Sequence, residues 1–455
     1  MKKFIKVNKI YFIILSVFTL CVLFFAIKKN NISDIDLIFL SLVLLFTIFT
    51  FNYISIIIYK IHFYPINVFF NLYFLVCFLF FIFNFNKINL SVYQEIFSPI
   101  DKISFLNLTK ETFKILILTI FFLNLGFLLC LKIFKEKKFN FFPELNDIQL
   151  TRLNFFLLLT KLFLIVISLL FSRYIDELIN PINLLIVLIC FYSAVFFKTN
   201  RLLNYFIILY IFFENILLTF GIYKNIILLS VFFILIYNLK KKISNVLLGL
   251  LICWVFFGQG LKFDLRIQYN EWQNNEFSDA NKSTEPVDYP HAITLRLSEP
   301  IVSLVRIIEV ERLENREIKK DTISILKYTF IPRFLYPDKP KQDFAKWYTN
   351  KFFTVVKRIS NPNVTFNIFW PSDFYLNFRY LGSTLFAFII GVILSFLCAI
   401  LSNSKASNIH YLFGLSIVSG LSFPDYNISL MLSPIFLQLL ILIFLLKIFI
   451  FIIKR

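Results

Sequence analysis

The chain has 455 residues, of which 59% are hydrophobic and only 16% charged, with a mean hydropathy of +0.78; soluble domains carry far more charge. That balance excludes a soluble enzyme or binding module and reads as an integral membrane protein. The formal net charge of +19 does not indicate a nucleic-acid partner, because the basic residues gather in short connections on one side of the expected membrane and act as an orientation signal.

Runs of about 20 apolar residues are long enough to cross the hydrocarbon core as helices. In chain order they predict about twelve spans, at 10–27, 36–58, 65–85, 113–133, 153–172, 181–198, 202–221, 222–239, 243–258, 374–401, 409–423 and 429–452. The first run ends in "CVLFFAIKKN" without a small-x-small cleavage step, so it is expected to stay as an anchor. With the N-terminus inside, the inner connections collect Lys2, Lys3, Lys6, Lys9, Lys132, Lys135, Lys137, Lys138, Arg152, Lys198, Arg201 and Lys240 to Lys242, and the chain closes on Lys454 and Arg455. The short outer connections hold far fewer basic residues, Lys28 and Lys29 being the exceptions, so both termini are expected in the cytoplasm.

All six cysteines, Cys21, Cys77, Cys130, Cys190, Cys253 and Cys398, lie in apolar runs. They suggest neither a disulfide framework nor a metal site. No internal repeat is visible, which weakens an inverted-repeat transporter reading. Two charges fall inside expected spans, Lys161 and Glu214. Such charges are costly in a bilayer; here they are read as a mutual ion pair or as water-exposed side chains lining a cavity.

The expected organisation is helices 1–9 over 1–257, a large outer loop over 258–373, and helices 10–12 over 374–455. The loop opens with "YNEWQNNEFSDANKSTEPVDYP", which is turn-rich. In "LSEPIVSLVRIIEVERLENREIKK" the residues Ile301, Leu304, Val305 and Ile308 take helical spacing while Arg306, Glu309, Arg312 and Arg316 fall mostly off that face. The pattern predicts an amphipathic helix lying against the bundle. A second is predicted over 342–358, with Phe344, Trp347, Phe352 and Val355 as its apolar side.

Between them lies "YTFIPRFLYPDKPKQDFAKWY". Its prolines at 332, 337 and 340 fix their own φ and bias the residues before them away from the helical region, so the backbone is stiff. A stiff loop presenting Arg333, Asp338 and Lys339 suits preorganised binding of negative charge.

"IPRFLYPDKP" resembles a phrase in the outer loop of bacterial oligosaccharide repeat-unit polymerases, the O-antigen polymerase (Wzy-type) family. "LRLSEP" upstream and "WPSDFYLNFRYLGSTLFAFIIG" downstream are similar to further parts of that family's loop and of its entry into the next helix. The similarity covers roughly 290–392. The chain departs from the family in reading Asn377-Phe378-Arg379 for Asn-Phe-Gly, Ser372-Asp373 for a Gly-Glu-like step, and Lys224 for an Arg at a mid-chain outer turn.

The resemblance implies an all-α polytopic fold of GT-C-like architecture in a bacterial inner membrane. It implies glycosyl transfer between undecaprenyl-diphosphate-linked oligosaccharides on the periplasmic side, in the company of membrane lipids, a flippase and a chain-length regulator. A leaving pyrophosphate suits Arg, whose planar donors match phosphate oxygens. No cofactor and no metal are expected, because the outer side shows no DxD-like or His/carboxylate cluster. The candidate residues are Arg333, Arg296 and Asp373 for catalysis, and Arg333, Lys339, Lys224 and Arg266 for the pyrophosphate.

The plainer reading of an outer Arg is pairing with a carboxylate or a lipid headgroup, and it stands for Arg266, Arg306, Arg312 and Arg316. Asp338 reads as a turn acceptor or a partner of Arg333, and Glu299 as a residue that could start a helix. A general base is open between Asp373 and Glu299, while His291 reads as a solvated loop histidine. Ligases of the same lipid-linked glycans carry a His-Asn pair ahead of the helix after the large loop. In "NVTFNIFWPSDFYLNF" the histidine is missing. A lipid-linked oligosaccharide flippase and a scaffolding component of an envelope complex are the other readings.

Overall fold

The computed structural model describes residues 40–48, 50–51, 66–83, 102–134, 141–171, 176–193, 207, 289–315, 317–318, 324–329, 331, 336, 344–352, 368–401, 407–420 and 428–454. The described residues are almost wholly helical, with no strand among them. In chain order the helices are α1 (Ile66–Phe83), α2 (Lys102–Phe134), α3 (Asp147–Phe171), α4 (Asp176–Tyr192), α5 (Tyr289–Glu314), α6 (Leu326–Thr329), α7 (Ala345–Phe352), α8 (Trp370–Leu401), α9 (Asn408–Gly420) and α10 (Ile428–Lys454). Seven of the expected spans coincide with α1 to α4 and α8 to α10, and 40–48 is helical within the run 36–58. The spans expected at 10–27, 222–239 and 243–258, and all of 202–221 but residue 207, lie outside the described residues.

Three helical stretches among the described residues, Leu106–Leu129, Asp147–Ile167 and Trp370–Leu401, are long and apolar enough to cross a membrane. On α3 the side chains of Phe155, Leu159, Leu162, Phe163 and Val166 are all more than half exposed, as suits contact with lipid. Lys161 of the same helix is only 1% exposed. It is enclosed by protein and does not line open water, which corrects one of its two expected roles. Glu214, its expected partner, lies outside the described residues.

Local sequence explains where several helices begin and end. Asn146 and Gln149 exchange bonds at the start of α3, the Gln149 N–H donating to Asn146 Oδ1 at 2.9 Å and the Asn146 N–H to Gln149 Oε1 at 3.0 Å. This reciprocal capping satisfies two N–H groups the helix leaves open. At the other kind of end, Asn315 stops α5 in the left-handed region at φ 48°, a conformation Asn tolerates better than most residues.

The core is built around α2. The helix α1 runs antiparallel to it, since Asn67 and Asn71 meet Asn124 while Phe78 and Phe81 meet Phe113. The three buried amides close a network, with Asn71 Nδ2 donating to Asn124 Oδ1 at 3.0 Å and Asn124 Nδ2 returning a bond to Asn71 Oδ1 at 2.8 Å. In a membrane interior such bonds hold one helix to another where the hydrophobic effect is absent. By contrast α8 runs parallel to α2. Gly126 faces the Phe388 carbonyl and Gly391 the Leu123 carbonyl so closely that a Cβ at either glycine would collide with that oxygen.

Where α2 and α8 finish, their connections interlock. Ser407 Oγ donates to the Phe142 carbonyl at 2.6 Å, and the Asn408 amide both donates to the Leu145 carbonyl and accepts its N–H. His410 Nδ1 accepts the Phe141 N–H at 3.2 Å, so its Nε2 carries the proton and donates to the Ile400 carbonyl at 2.7 Å.

The helix expected to lie against the bundle is enclosed by it instead. Every residue of α5 from Pro300 to Val310 is buried, Arg306 and Glu309 included. It packs against α1, α2, α7 and α8, and the polar residues on its second face are enclosed because they satisfy one another. The helix also starts at Tyr289, so Glu299 stands in its interior and His291 in its first turns, where a helix start and a loop had been expected. Pro300 sits inside α5 and removes one backbone donor there, a loss tolerated where neighbours re-satisfy the freed groups. The second amphipathic helix appears as α7, with Phe344 and Phe352 buried and Trp347 partly so; Val355 lies outside the described residues.

Candidate functional site

At Arg379, φ is 60° and ψ is −159° inside what otherwise runs as one helix. That is a region essentially reserved for glycine, and holding an Arg there costs ~1–3 kcal/mol. The chain doubles back at this point. Phe374 and Phe378 both place their rings against Phe386, at 4.9 and 4.5 Å between centroids, whereas residues twelve apart in a straight helix are separated by about 18 Å. The span expected at 374–401 is therefore two limbs. Residues 380–401 alone reach roughly 33 Å at the helical rise, enough for a hydrocarbon core of about 30 Å. Residues 370–378 fold back into the bundle, where Trp370 meets Phe74 of α1 edge to face at 5.6 Å.

The returning limb carries Asp373 into a closed setting. Asp373 is 0% exposed, and its Oδ1 accepts Asn377 Nδ2 at 3.1 Å. It stands in the first turn of the limb, where the helix dipole favours a negative charge. Beside it Ser372 shares a hydrogen bond with Ser303 of α5 at 2.9 Å, and Tyr348 of α7 donates to the Ser303 carbonyl at 3.0 Å. One turn further along α5, Arg306 pairs with Glu309 and its Nε donates to the Phe352 carbonyl at 2.7 Å. Lys110 of α2 is buried too, at 1% exposure. Three segments of the expected outer loop, α5, α7 and residues 370–373, thus bring buried charges and hydroxyls together at one enclosed polar end of a largely apolar bundle.

At the rim of this region the cations are held by carboxylates. Arg312 pairs with Glu111, Lys351 with Glu314 at 2.7 Å, and Arg379 with Glu311, with Glu317 at 3.6 Å from Arg379 Nε. The guanidinium of Arg379 lies over the Tyr375 ring, 5.4 Å from its centroid. Pairing with a carboxylate is what was expected of Arg306 and Arg312; Arg316 and Arg266 lie outside the described residues.

Of the candidate residues, Asp373 is placed in the enclosed polar end. Arg296 is on α5, upstream of Ser303 and Arg306. Arg333, Lys339, Lys224 and Arg266 lie outside the described residues, as does Asp338. The residue that sequence reasoning passed over is Arg379, noted only as a departure from Asn-Phe-Gly. Its signal was a charged residue in the Gly position of a phrase resembling Asn-Phe-Gly, because a backbone that adopts positive φ marks a sharp turn and an Arg there must be held by something.

Chemically, a buried carboxylate beside an amide donor can take a proton from a hydroxyl brought to it, whereas the rim guanidiniums of Arg312 and Arg379 are already matched by carboxylates. Among the described residues no group of three or more His, Cys, Asp or Glu side chains is arranged to hold a metal ion. Comparison of the chain with family models, curated proteins and solved structures finds no match.

Proposed function

We propose that this protein polymerises undecaprenyl-diphosphate-linked oligosaccharide repeat units, by metal-independent glycosyl transfer at the periplasmic face of a bacterial inner membrane. One observation carries the reading. The helix α5, from the polar segment between the apolar halves, is enclosed on every face from Pro300 to Val310, with Ser303 bonded to Ser372, the neighbour of the buried Asp373, and with Arg306 buried one turn further on. The phrase "LRLSEP" lies in α5 and "IPRFLYPDKP" follows it in the sequence; both resemble the repeat-unit polymerase family and would supply Arg296, Arg333 and Lys339 to the pyrophosphate. The full arrangement in this reading has twelve spans, both termini in the cytoplasm and a GT-C-like plan, with a flippase and a chain-length regulator as partners.

The parallel course of α2 and the long limb of α8 supports it, since spans 113–133 and 374–401 both run outside to inside in this topology. The test is the surface glycan of a deletion strain. A polymerase null leaves single repeat units attached to the surface and complementation restores the ladder. A null with no attached units at all indicates a ligase, and units stranded inside the cell indicate a flippase; either result defeats the reading.

A further inference from the structure

The backbone leaving α5 is gripped at both of its polar groups by one ion pair. The N–H of Ile318 donates to Glu311 Oε1 at 2.9 Å, and the Ile318 carbonyl accepts from Arg379 at 3.1 Å. Glu311 and Arg379 are themselves paired through the same Oε1, and the other oxygen, Oε2, accepts the Tyr375 hydroxyl at 3.3 Å. Four points of the fold therefore meet in one cluster: the last turn of α5, the segment after it, the returning limb of α8 and the reversal at its apex. The Ile318 side chain is buried under the cluster at 6% exposure. The Arg379 guanidinium holds this position against an unfavourable backbone conformation, which a glycine would adopt without strain.

We propose that Glu311 and Arg379 are a positioning pair that fixes the chain leaving α5 to the apex of α8. The pair touches no reacting group. It sets the spacing between the enclosed carboxylate limb, which ends at the apex, and the chain that leaves α5 at Ile318. The charge pair and the two backbone bonds act as a unit, because the carboxylate oxygen that accepts from Arg379 also accepts from Ile318. This rests on the polymerase reading for the reaction it serves, though the clamp itself can be measured without it.

The clamp is tested on purified full-length protein in nanodiscs. Spin labels are attached at Ser324→Cys and Leu381→Cys, both on exposed positions, with the native cysteines replaced by alanine. The distance distribution is compared between this parent and versions carrying Arg379→Gly or Glu311→Gln. Arg379→Gly is chosen because glycine accepts the φ of 60°, so the fold survives while the guanidinium is lost. Narrow distances in the parent that broaden in both variants are expected. Turnover of lipid-linked repeat units, extracted from the deletion strain, is then expected to drop ~10–100-fold in kcat with little change in KM, the signature of misplacement and not of lost substrate contact. Unbroadened distances in Arg379→Gly overturn the pair, and broadened distances with unchanged kcat overturn its positioning role. A parent that turns over no lipid-linked substrate, with distances that still broaden in the variants, overturns the polymerase reading and with it the positioning role, leaving a structural clamp.

Discussion

Gly126 of α2 lies against the carbonyl of Phe388 in α8 with no room for a methyl group between them. Gly391 makes the reciprocal approach to Leu123, so the two longest helices touch backbone to backbone along a parallel seam. Small residues at such a seam allow the close packing that drives association between helices in lipid. Substituting Gly126→Ala or Gly391→Ala is expected to cost ~1–3 kcal/mol by overpacking, seen as earlier thermal unfolding in detergent. Because both glycines serve one contact, the double substitution should cost less than the sum of the singles.

Two arginines six residues apart on α5 should differ sharply in what their removal costs. Arg306 and Glu309 have side chains 7% and 4% exposed, whereas Arg312 is 54% exposed beside Glu111. Removing one partner of the enclosed pair strands a buried charge and is expected to cost ~3–5 kcal/mol. Arg312→Ala is expected to cost ~0–1 kcal/mol, since the exposed pair is screened by solvent. Unfolding of the two variants in the same detergent decides this, and equal losses would refute the assignment of Arg306 to the core.

For the reaction itself, Arg333→Ala is expected to abolish the long-chain glycan ladder while protein level and membrane insertion stay near normal. Arg333→Lys should fall between, because a point charge keeps attraction but loses the two-pronged geometry. Arg312→Ala serves as the control and should leave the ladder largely intact. A ladder that survives Arg333→Ala but fails in Arg312→Ala would move the site from the proline segment to α5.

Asp373→Asn is expected to remove polymerisation while preserving the Asn377 contact through its amide oxygen. Loss of one well-placed catalytic group commonly costs ~10²–10⁴ in rate. Full turnover by Asp373→Asn in nanodiscs would leave the carboxylate with a structural role alone.

Under the proposed function, with Arg and Lys in place of a metal, purified protein should elongate lipid-linked units in excess EDTA. Activity lost to EDTA and restored by magnesium or manganese would sink that account.

The helices that became α1 to α4 and α8 to α10 were legible in the sequence because a span depends on a local property, some twenty apolar residues in a row, whatever it packs against. The apolar face of α7 was readable from local spacing too. What the sequence could not decide was the surroundings of α5. Ile301, Leu304, Val305 and Ile308 announced a buried face, but Arg306 and Glu309 fell mostly off it, and the spacing of charges does not say that such a face is enclosed too. They are enclosed because Phe352 offers a carbonyl and each supplies the other's counter-charge. Likewise 374–401 was one apolar run, and only the packing of Phe374 and Phe378 on Phe386 turned it back at Arg379. Local periodicity determined which segments are helices. The long-range pairing of charges and rings decided which helix enters the core, where the last apolar run reverses, and so which side chains Asp373 meets.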